Sequence, residues 1–289
     1  MATRDMGQRR DRIRRRAERM SSVLSRITDR MAPSTIYWAL NTPIGQYLYR
    51  RGFTDTRTRT IAFDEVEFRM QTPSNELYLW NDFAENGCHE PITGRAFLNV
   101  LYGSESATVW DVGSKCGYFM MVAAQATPPS GIHVFEPVRP HVDVIRRNNE
   151  RYLDDRARVN DTPVGERVDA GMTTGDAYAA QFGPPDLVKI DVDGPEIGVL
   201  RGMQRTVEEH EPYLLVEVHT GTDWQHKHRE LWGLLPDDSV KHAVGEHRSE
   251  RVEWQPVGTA DGFEAMGRRH DDFLLRCSPE AGGDGIDHG

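Results

Sequence analysis

The chain has 289 residues, three cysteines and a net charge of −10, with 35 basic residues against 45 acidic ones. That length buries a sizeable core and favours one large domain with appendages over two equal domains. The cysteines, Cys88, Cys116 and Cys277, are odd in number and widely spaced, which argues against a disulfide framework or a zinc cluster and fits a reducing, cytoplasmic setting. Charge is spread unevenly: residues 1–60 hold 14 Arg against 5 acids, and the remainder 21 basic residues against 40 acids. An acidic body repels phosphates, so no nucleic-acid partner is expected. The longest apolar run, near Tyr118 to Ala124, is too short to span a bilayer, and the basic first 30 residues lack the apolar stretch of a secretory signal. Only four of the basic residues are lysines: Lys115, Lys189, Lys227 and Lys241.

In chain order, Ile13, Ala17, Met20, Leu24, Ile27 and Met31 make a heptad-like stripe on an Arg-rich helix that Pro33 ends. Three readings fit residues 1–32: a helix packed on its own domain or on a partner subunit, a membrane-surface helix drawn to anionic lipid, or a loose tail. Peripheral membrane contact and a homodimer through residues 10–31 therefore both stay open. Residues 33–105 read as a helical and hairpin cap on the substrate side. Tyr37, Trp38, Tyr47, Tyr49 and Phe53 order its first part, alternation over 60–63 and 66–70 predicts a hairpin, and 77–80 extends it. A helix over 91–102 leads into the first central strand, 107–112.

From there β and α segments alternate at parallel-sheet length, so the fold class is α/β with helices on both faces of a mostly parallel sheet. Strands are expected at 107–112, 131–135, 157–164, 187–192 and 213–218, with 240–244 and 272–277 completing the sheet and 251–254 pairing beside them. Helices are expected at 140–152 and 224–235. The domain spans 106–277, and the Gly- and Asp-rich residues 278–289 read as a disordered acidic tail.

Two strand–turn–helix units carry the chemistry. In Asp111-Val112-Gly113-Ser114-Lys115-Cys116-Gly117-Tyr118, Gly113 allows a tight turn and close approach of a ligand, and Gly117 lets the next helix pack close. The spacing is DxGxxxG rather than the GxGxxG of dinucleotide enzymes, which disfavours a nicotinamide oxidoreductase without removing it as the rival reading. Glu136 ends the second strand 25 residues after Asp111, where an acid meets ribose hydroxyls in such sheets, and Pro137 then breaks the strand. The other unit is PDLVKIDVDGPEIGVLRGM, residues 185–203, an apolar strand that stops at Asp191, Asp193 and Glu196. Asp193 and Glu196 fit a capping box as well as a site, whereas Asp191 lies inside the apolar strand, with Lys189 on the same face as its one candidate partner.

These blocks, WDVGSKCGYF (110–119), HVFEPVRPHVDVIRRN (133–148), DLVKIDVDGPEIGVLRGM (186–203) and PYLLVEVH (212–219), resemble the FkbM-type family of S-adenosylmethionine-dependent methyltransferases. Departures are small: Asp193 where Glu is usual, and Ser-Lys-Cys in the glycine turn. The resemblance implies a Rossmann-like class I methyltransferase fold with a seven-stranded sheet, S-adenosyl-L-methionine as donor, and a small-molecule or glycan acceptor. It further implies that Asp111, Gly113, Ser114, Gly117 and Tyr118 surround the methionine and ribose end. Glu136 and Pro137 would stand at the ribose and residues 161–166 over adenine; Asp191, an acid inside an apolar strand, is read as facing the donor's amino group or sulfonium. Asp176 matches an acid of the family but reads more simply as the N-cap of a helix at 177–182.

Methylating a hydroxyl needs a base. Glu217 and His219 are two apart on the fifth strand, share a face and stand beside the fourth strand's site. His219 is the first candidate, Glu217 the second, and a merely hydrogen-bonded loop histidine the bland alternative. Lys115 is the candidate for steering an acidic acceptor. His226 and His228 read as solvated, and the adjacent Cys88, His89 and Glu90 cannot all converge on one ion. A magnesium site from Asp191, Asp193 and a third carboxylate is the weaker alternative to a metal-free site. Beyond these enzymes stands a non-catalytic, donor-binding scaffold recruited through the N-terminal helix.

Overall fold

The computed structural model describes residues 56–73, 76, 79, 82–83, 86–104, 106–126, 131–169, 171–221, 224–245 and 253–279. The heptad stripe, the aromatic part of the cap and the acidic tail beyond residue 279 lie outside the described residues, as does most of 77–80. The chain divides into two compact units, one formed by 1–57 and 72–77 and the other by 58–71 and 78–289. Among the described residues no helix is long and apolar enough to cross a membrane.

The hairpin is present and longer than expected, with strands β1 (Thr56–Phe63) and β2 (Val66–Pro73). Val66, Phe68 and Met70 point inward and Glu67 and Arg69 outward, the period of two that the sequence showed. Asp64 takes φ 49° in the turn between them, a conformation Asp tolerates.

Helix α1 (Pro91–Tyr102) precedes the central alternation. The order runs β3 (Thr108–Val112), α2 (Tyr118–Ala126), β4 (Gly131–Phe135), α3 (Arg139–Leu153), β5 (Ala157–Asn160), α4 (Gly175–Phe182) and β6 (Leu187–Ile190). There follow α5 (Glu196–Arg201), α6 (Gln204–His210), β7 (Tyr213–His219), α7 (Trp224–Trp232), β8 (Ser239–Val244), β9 (Gln255–Pro256), α8 (Ala260–Arg269) and β10 (Asp272–Pro279). The sheet order is β5-β4-β3-β6-β7-β10-β8-β9. Strands β3 to β7 are parallel, and β10 runs antiparallel between β7 and β8. This is the Rossmann-like methyltransferase architecture implied by the resemblance, with one strand more than the seven expected. The extra strand, β9, has two residues and ends on Pro256, which has no N–H to donate and so suits a sheet edge. Residues 253–254, expected to pair, instead precede it unpaired.

The two faces of the sheet bury different things. On one, Trp110, Val112, Val188, Ile190, Val216 and Val218 join one apolar cluster with Tyr178 of α4, Trp224 of α7 and Phe263 of α8. On the other, α1 and α2 meet through Phe97 and Phe119, ring centroids 5.3 Å apart, and Lys189 Nζ lies 4.6 Å above the Phe119 ring. Three local expectations need correction. β5 stops at Asn160, because Asn160 Nδ2 turns back to Val134 O and Pro163 cannot continue the ladder; Val164 bridges Thr173 instead. β6 stops at Ile190, short of Val192. Asp176 is no cap of its own helix: Thr174 caps α4 through Ala177 N, while Asp176 accepts from Thr206 N at 2.8 Å and steadies the start of α6.

Candidate active site

The sheet order reverses between β3 and β6, since β4 and β5 lie to one side of β3 and β6 to the other. The carboxyl ends of two diverging strands leave a crevice there. Asp111 on β3 is in register with Lys189 on β6, so both side chains leave the same face. Ile190 pairs with Val216, and carrying that register one residue further sets Glu217 beside Asp191. One face of three adjoining strand tips thus presents Asp111, Lys189, Asp191, Glu217 and His219.

The glycine turn fits this crevice closely. Gly113 sits at φ 86°, and a Cβ there would lie 1.7 Å from the Asp191 carbonyl oxygen, so no side chain is tolerated. Ser114 Oγ donates to Asp111 Oδ2, and Asp111 Oδ1 is buried without a hydrogen-bond partner among the described residues. Burial raises the Asp111 pKa, although Lys189 and Ser114 pull it down. Across the turn, Glu136 is buried at the end of β4, and its Oε2 accepts from Lys115 N at 2.8 Å. Its Oε1 accepts from Val138 N at 2.9 Å and lies 3.2 Å from His141 Nδ1. Pro137, half-buried, separates the two.

Lys189 Nζ is 3.0 Å from Asp191 Oδ2. Burial opposes the lysine's charge, but Asp191, Glu90, Asp111 and Glu217 raise its pKa well above the usual value. Asp191 is the mirror case: burial pushes its carboxyl up, and Lys189 and His219 together outweigh this, leaving it below the ordinary range.

His219, at the tip of β7, is held in a nest of acids. Its Nδ1 is 2.7 Å from Glu196 Oε1, and its Nε2 lies 3.5 Å from Asp193 Oδ1 and 3.6 Å from Glu217 Oε1. Burial works against its charge, yet the Glu196 hydrogen bond, with Asp191 and Glu217, raises its pKa to about 9. The ring is therefore an imidazolium at neutral pH. Asp191, Glu217 and His219 each offer a ligand atom within 4.8 Å of the others. Lys189 and the imidazolium already supply positive charge at that point. Counting Glu90, whose charge acts on Lys189 and Asp191, six acids (Asp111, Asp191, Asp193, Glu196, Glu217 and Glu90) face three side-chain cations: Lys189, Lys227 and His219.

The expected residues divide as follows. Asp111, Gly113, Ser114, Asp191, Glu217 and His219 come together in the crevice, and Glu136 and Pro137 stand across the glycine turn. Gly117 takes φ 82° and lets α2 pack beneath Ile145. The Tyr118 ring turns into aromatic packing against His89, Phe119 and Phe68. Asp161 of the loop expected over adenine is exposed and bound by Arg139 and Arg146.

Two readings of acidic and basic residues are corrected. The capping box over 193–196 does not form: Asp193 is exposed at φ 52°, and Glu196 is the fully buried first residue of α5, bonded to His219 and Lys227. His228 is buried rather than solvated, with its Nδ1 2.9 Å from Trp224 O. Sequence reasoning missed Lys227 altogether. Its one available signal was compositional, since three of the chain's four lysines, Lys115, Lys189 and Lys227, belong to this crevice or its rim.

The fold is the α/β, Rossmann-like architecture with a mostly parallel sheet. The family model described as the methyltransferase FkbM domain matches residues 154–246. The resemblance expected from the sequence stands, its last two blocks lying inside that stretch. Over that stretch, about a third of its length, the chain is similar to the FkbM methyltransferase domain. No curated protein matches. Among solved structures, the methyltransferase FkbM from Methylobacillus flagellatus KT is 20% identical at a TM-score of 0.42, covering 60% of this chain and 44% of that one. The O-methyltransferase from Bacillus cereus in complex with SAH is 18% identical at 0.42, covering 70% and 89%. The SAM-dependent methyltransferase from Agrobacterium tumefaciens is 10% identical at 0.47, covering 77% and 70%.

Proposed function

We propose that the protein transfers a methyl group from S-adenosylmethionine to a hydroxyl of a glycan, a glycolipid precursor or a secondary metabolite. The observation that carries this reading is the surplus of acid at the adjoining tips of β3, β6 and β7, which favours a cationic ligand beside a glycine turn. The residues present suit the donor. Asp111 Oδ1, buried and without a hydrogen-bond partner among the described residues, is an acceptor for an ammonium group. Glu136 accepts two N–H groups and, with about four lone-pair sites on a carboxylate, keeps capacity for ribose hydroxyls. Bound there, the donor supplies a methyl group on positively charged sulfur.

Asp111, Gly113, Ser114 and Gly117 are assigned to the methionine and ribose end, Glu136 and Pro137 to the ribose, and Asp191 to the amino group or sulfonium, while the Tyr118 ring belongs to the aromatic packing. The chain's own contribution is alignment and proton removal. Holding acceptor oxygen, methyl carbon and sulfur in line supplies much of the rate. His219 Nε2 takes the hydroxyl proton, with Glu217 as the second candidate. Because His219 is protonated below about pH 9, its neutral form grows as pH climbs from 7, and the rate climbs with it. A rate flat across that range would hand the role to Glu217. The substrate class is tested by mass spectrometry of glycans, lipid-linked sugars and secondary metabolites from cells with and without the gene. Loss of one methyl mass from a hydroxyl supports the proposal, and unchanged spectra in all three acceptor classes oppose it.

A further inference from the structure

Glu196 begins α5, where the sequence offered it a capping role. Its carboxylate is instead 0% exposed. A surface cap has no need of such burial, and burying an ionised carboxylate is costly unless it is paired and hydrogen-bonded. Here it is fully engaged. Oε1 accepts from Gly194 N at 3.0 Å and lies 2.7 Å from His219 Nδ1, and Oε2 is 2.7 Å from Lys227 Nζ. Burial opposes ionisation of Glu196, but His219 and Lys227 outweigh it and hold its carboxyl below the usual range. An ionised carboxylate only accepts, so Nδ1 must donate, and the basic lone pair of a neutral ring then falls on Nε2.

Lys227 makes the arrangement rigid. Besides Glu196, its ammonium holds the carbonyls of His219 at 2.6 Å and Gly194 at 3.1 Å, so one side chain ties the end of β7 to the turn before α5. Its helix is anchored in turn by Trp224, packed on Phe263 and Phe273. The charged groups that face His219 are Lys189 from β6, Asp191 and Asp193 from the turn that follows it, Glu217 from β7, Glu196 from α5 and Lys227 from α7. Glu90, ahead of α1, acts on the first two. Of these acids only Glu196 reaches Nδ1; Asp193 and Glu217 lie on the Nε2 side.

We propose that Glu196, braced by Lys227, is the positioning residue of the site: it fixes the His219 ring so that Nε2 is the nitrogen that meets the acceptor's proton. The inference rests on the proposed methyl transfer. As the hydroxyl oxygen bonds to the methyl carbon, that carbon's bond to sulfur breaks, the electron pair stays on sulfur as a neutral thioether, and the hydroxyl proton passes to Nε2. Glu196 then stabilises the resulting imidazolium through Nδ1–H, and the proton leaves to solvent after the products. Glu196 thus acts through the histidine and touches neither donor nor acceptor.

The test is nitrogen NMR of the histidine-labelled full chain, with the His219 signals assigned by their loss in His219→Gln. In the wild type, the His219 signals should titrate above the ordinary histidine range, and above that midpoint the neutral ring should carry its proton on Nδ1. In Glu196→Gln, which keeps the shape and removes the charge, the midpoint should drop by at least one pH unit. The pH limb of kcat should move with it, while KM for the donor stays within about twofold. A wild-type neutral ring protonated on Nε2 overturns the inference, as does a Glu196→Gln enzyme that loses rate with neither midpoint nor limb displaced. If Glu196→Gln does not fold, the wild-type tautomer decides alone. The titration is read without donor or acceptor. A protein that moves no methyl group, yet shows the Nδ1–H tautomer and the shifted midpoint, defeats the proposed function and leaves the hold of Glu196 on His219 intact.

Discussion

His219 and His133 leave opposite faces of one sheet, and their surroundings push them in opposite directions. His133 on β4 pairs in register with Trp110 and lies against Tyr178 and Phe182 of α4, its Nδ1 2.8 Å from Tyr178 Oη. Burial, aided by Arg158, lowers its pKa to about 4. His219 is also shielded from water, but its neighbours are carboxylates, and they overcome the burial. A histidine among rings serves the core as a neutral polar bridge. A histidine among acids is a stronger base, and once neutral it takes up a proton readily. Burial alone does not separate the two cases; the charge of the first neighbours does.

The largest expected effect separates the two faces directly. His219→Ala should slow methyl transfer by roughly 10²–10⁴-fold, the usual worth of a general base, with S-adenosylhomocysteine affinity unchanged by calorimetry. His133→Phe should leave kcat within about twofold. An unaffected rate in His219→Ala would move the base to Glu217, and a collapsed rate in a folded His133→Phe would erase the contrast between the faces.

On the site face again, Glu136→Ala should weaken S-adenosylhomocysteine binding by about 1.5–3 kcal/mol, the range for hydrogen bonds to a charged group. Wild-type affinity in that variant would remove Glu136 from the ribose. Gly113→Ala should cost about 1–3 kcal/mol or more in chemical denaturation, because its Cβ meets a carbonyl oxygen at a positive φ. On the apolar face, Tyr178→Phe deletes the hydroxyl shared by His133 and Asn160, and about 1 kcal/mol of stability should go with it.

A further effect is in pH dependence, and its sign differs between the two histidines. His133, with its folded pKa depressed, contributes stability that is present above pH 6.5 and lost as pH falls through about 4. His219, with its folded pKa raised, contributes stability that is complete below pH 6.5 and lost as pH rises through about 9. Melting temperatures of the wild type, His133→Phe and His219→Gln across pH 4–10 should therefore diverge at opposite ends of the range. Divergence at the same end would show that one of the two environments has been misassigned.

What the sequence disclosed follows from how far its signals reach. The glycine turn, the strand that stops at Asp191 and the pairing of Lys189 with Asp191 are encoded within a few residues, and spacing alone placed them. Glu217 and His219 shared a face because strand period is two. Glu196 was misread because a local pattern competed for it: Asp193-Gly194-Pro195-Glu196 satisfies a capping box, whereas its real partners lie 23 and 31 residues downstream. No local rule reaches that far. His228 was legible and missed, since Trp224, His228 and Leu231 form a buried stripe at helical spacing despite the polar residues between them. The early end of β5 depended on Asn160 folding back onto a neighbouring strand, which depends on tertiary structure.

One consequence concerns synthesis. β7 carries His219, but its outer flank is covered by β10, where Asp272 pairs with His219 and Thr220 binds Asp271 through both N–H and hydroxyl. A nascent polypeptide halted before residue 272 already contains every acid of the crevice, yet the histidine's strand ends at a bare edge. Competence should thus arrive late in translation, with the emergence of a segment that contributes no chemical group of its own.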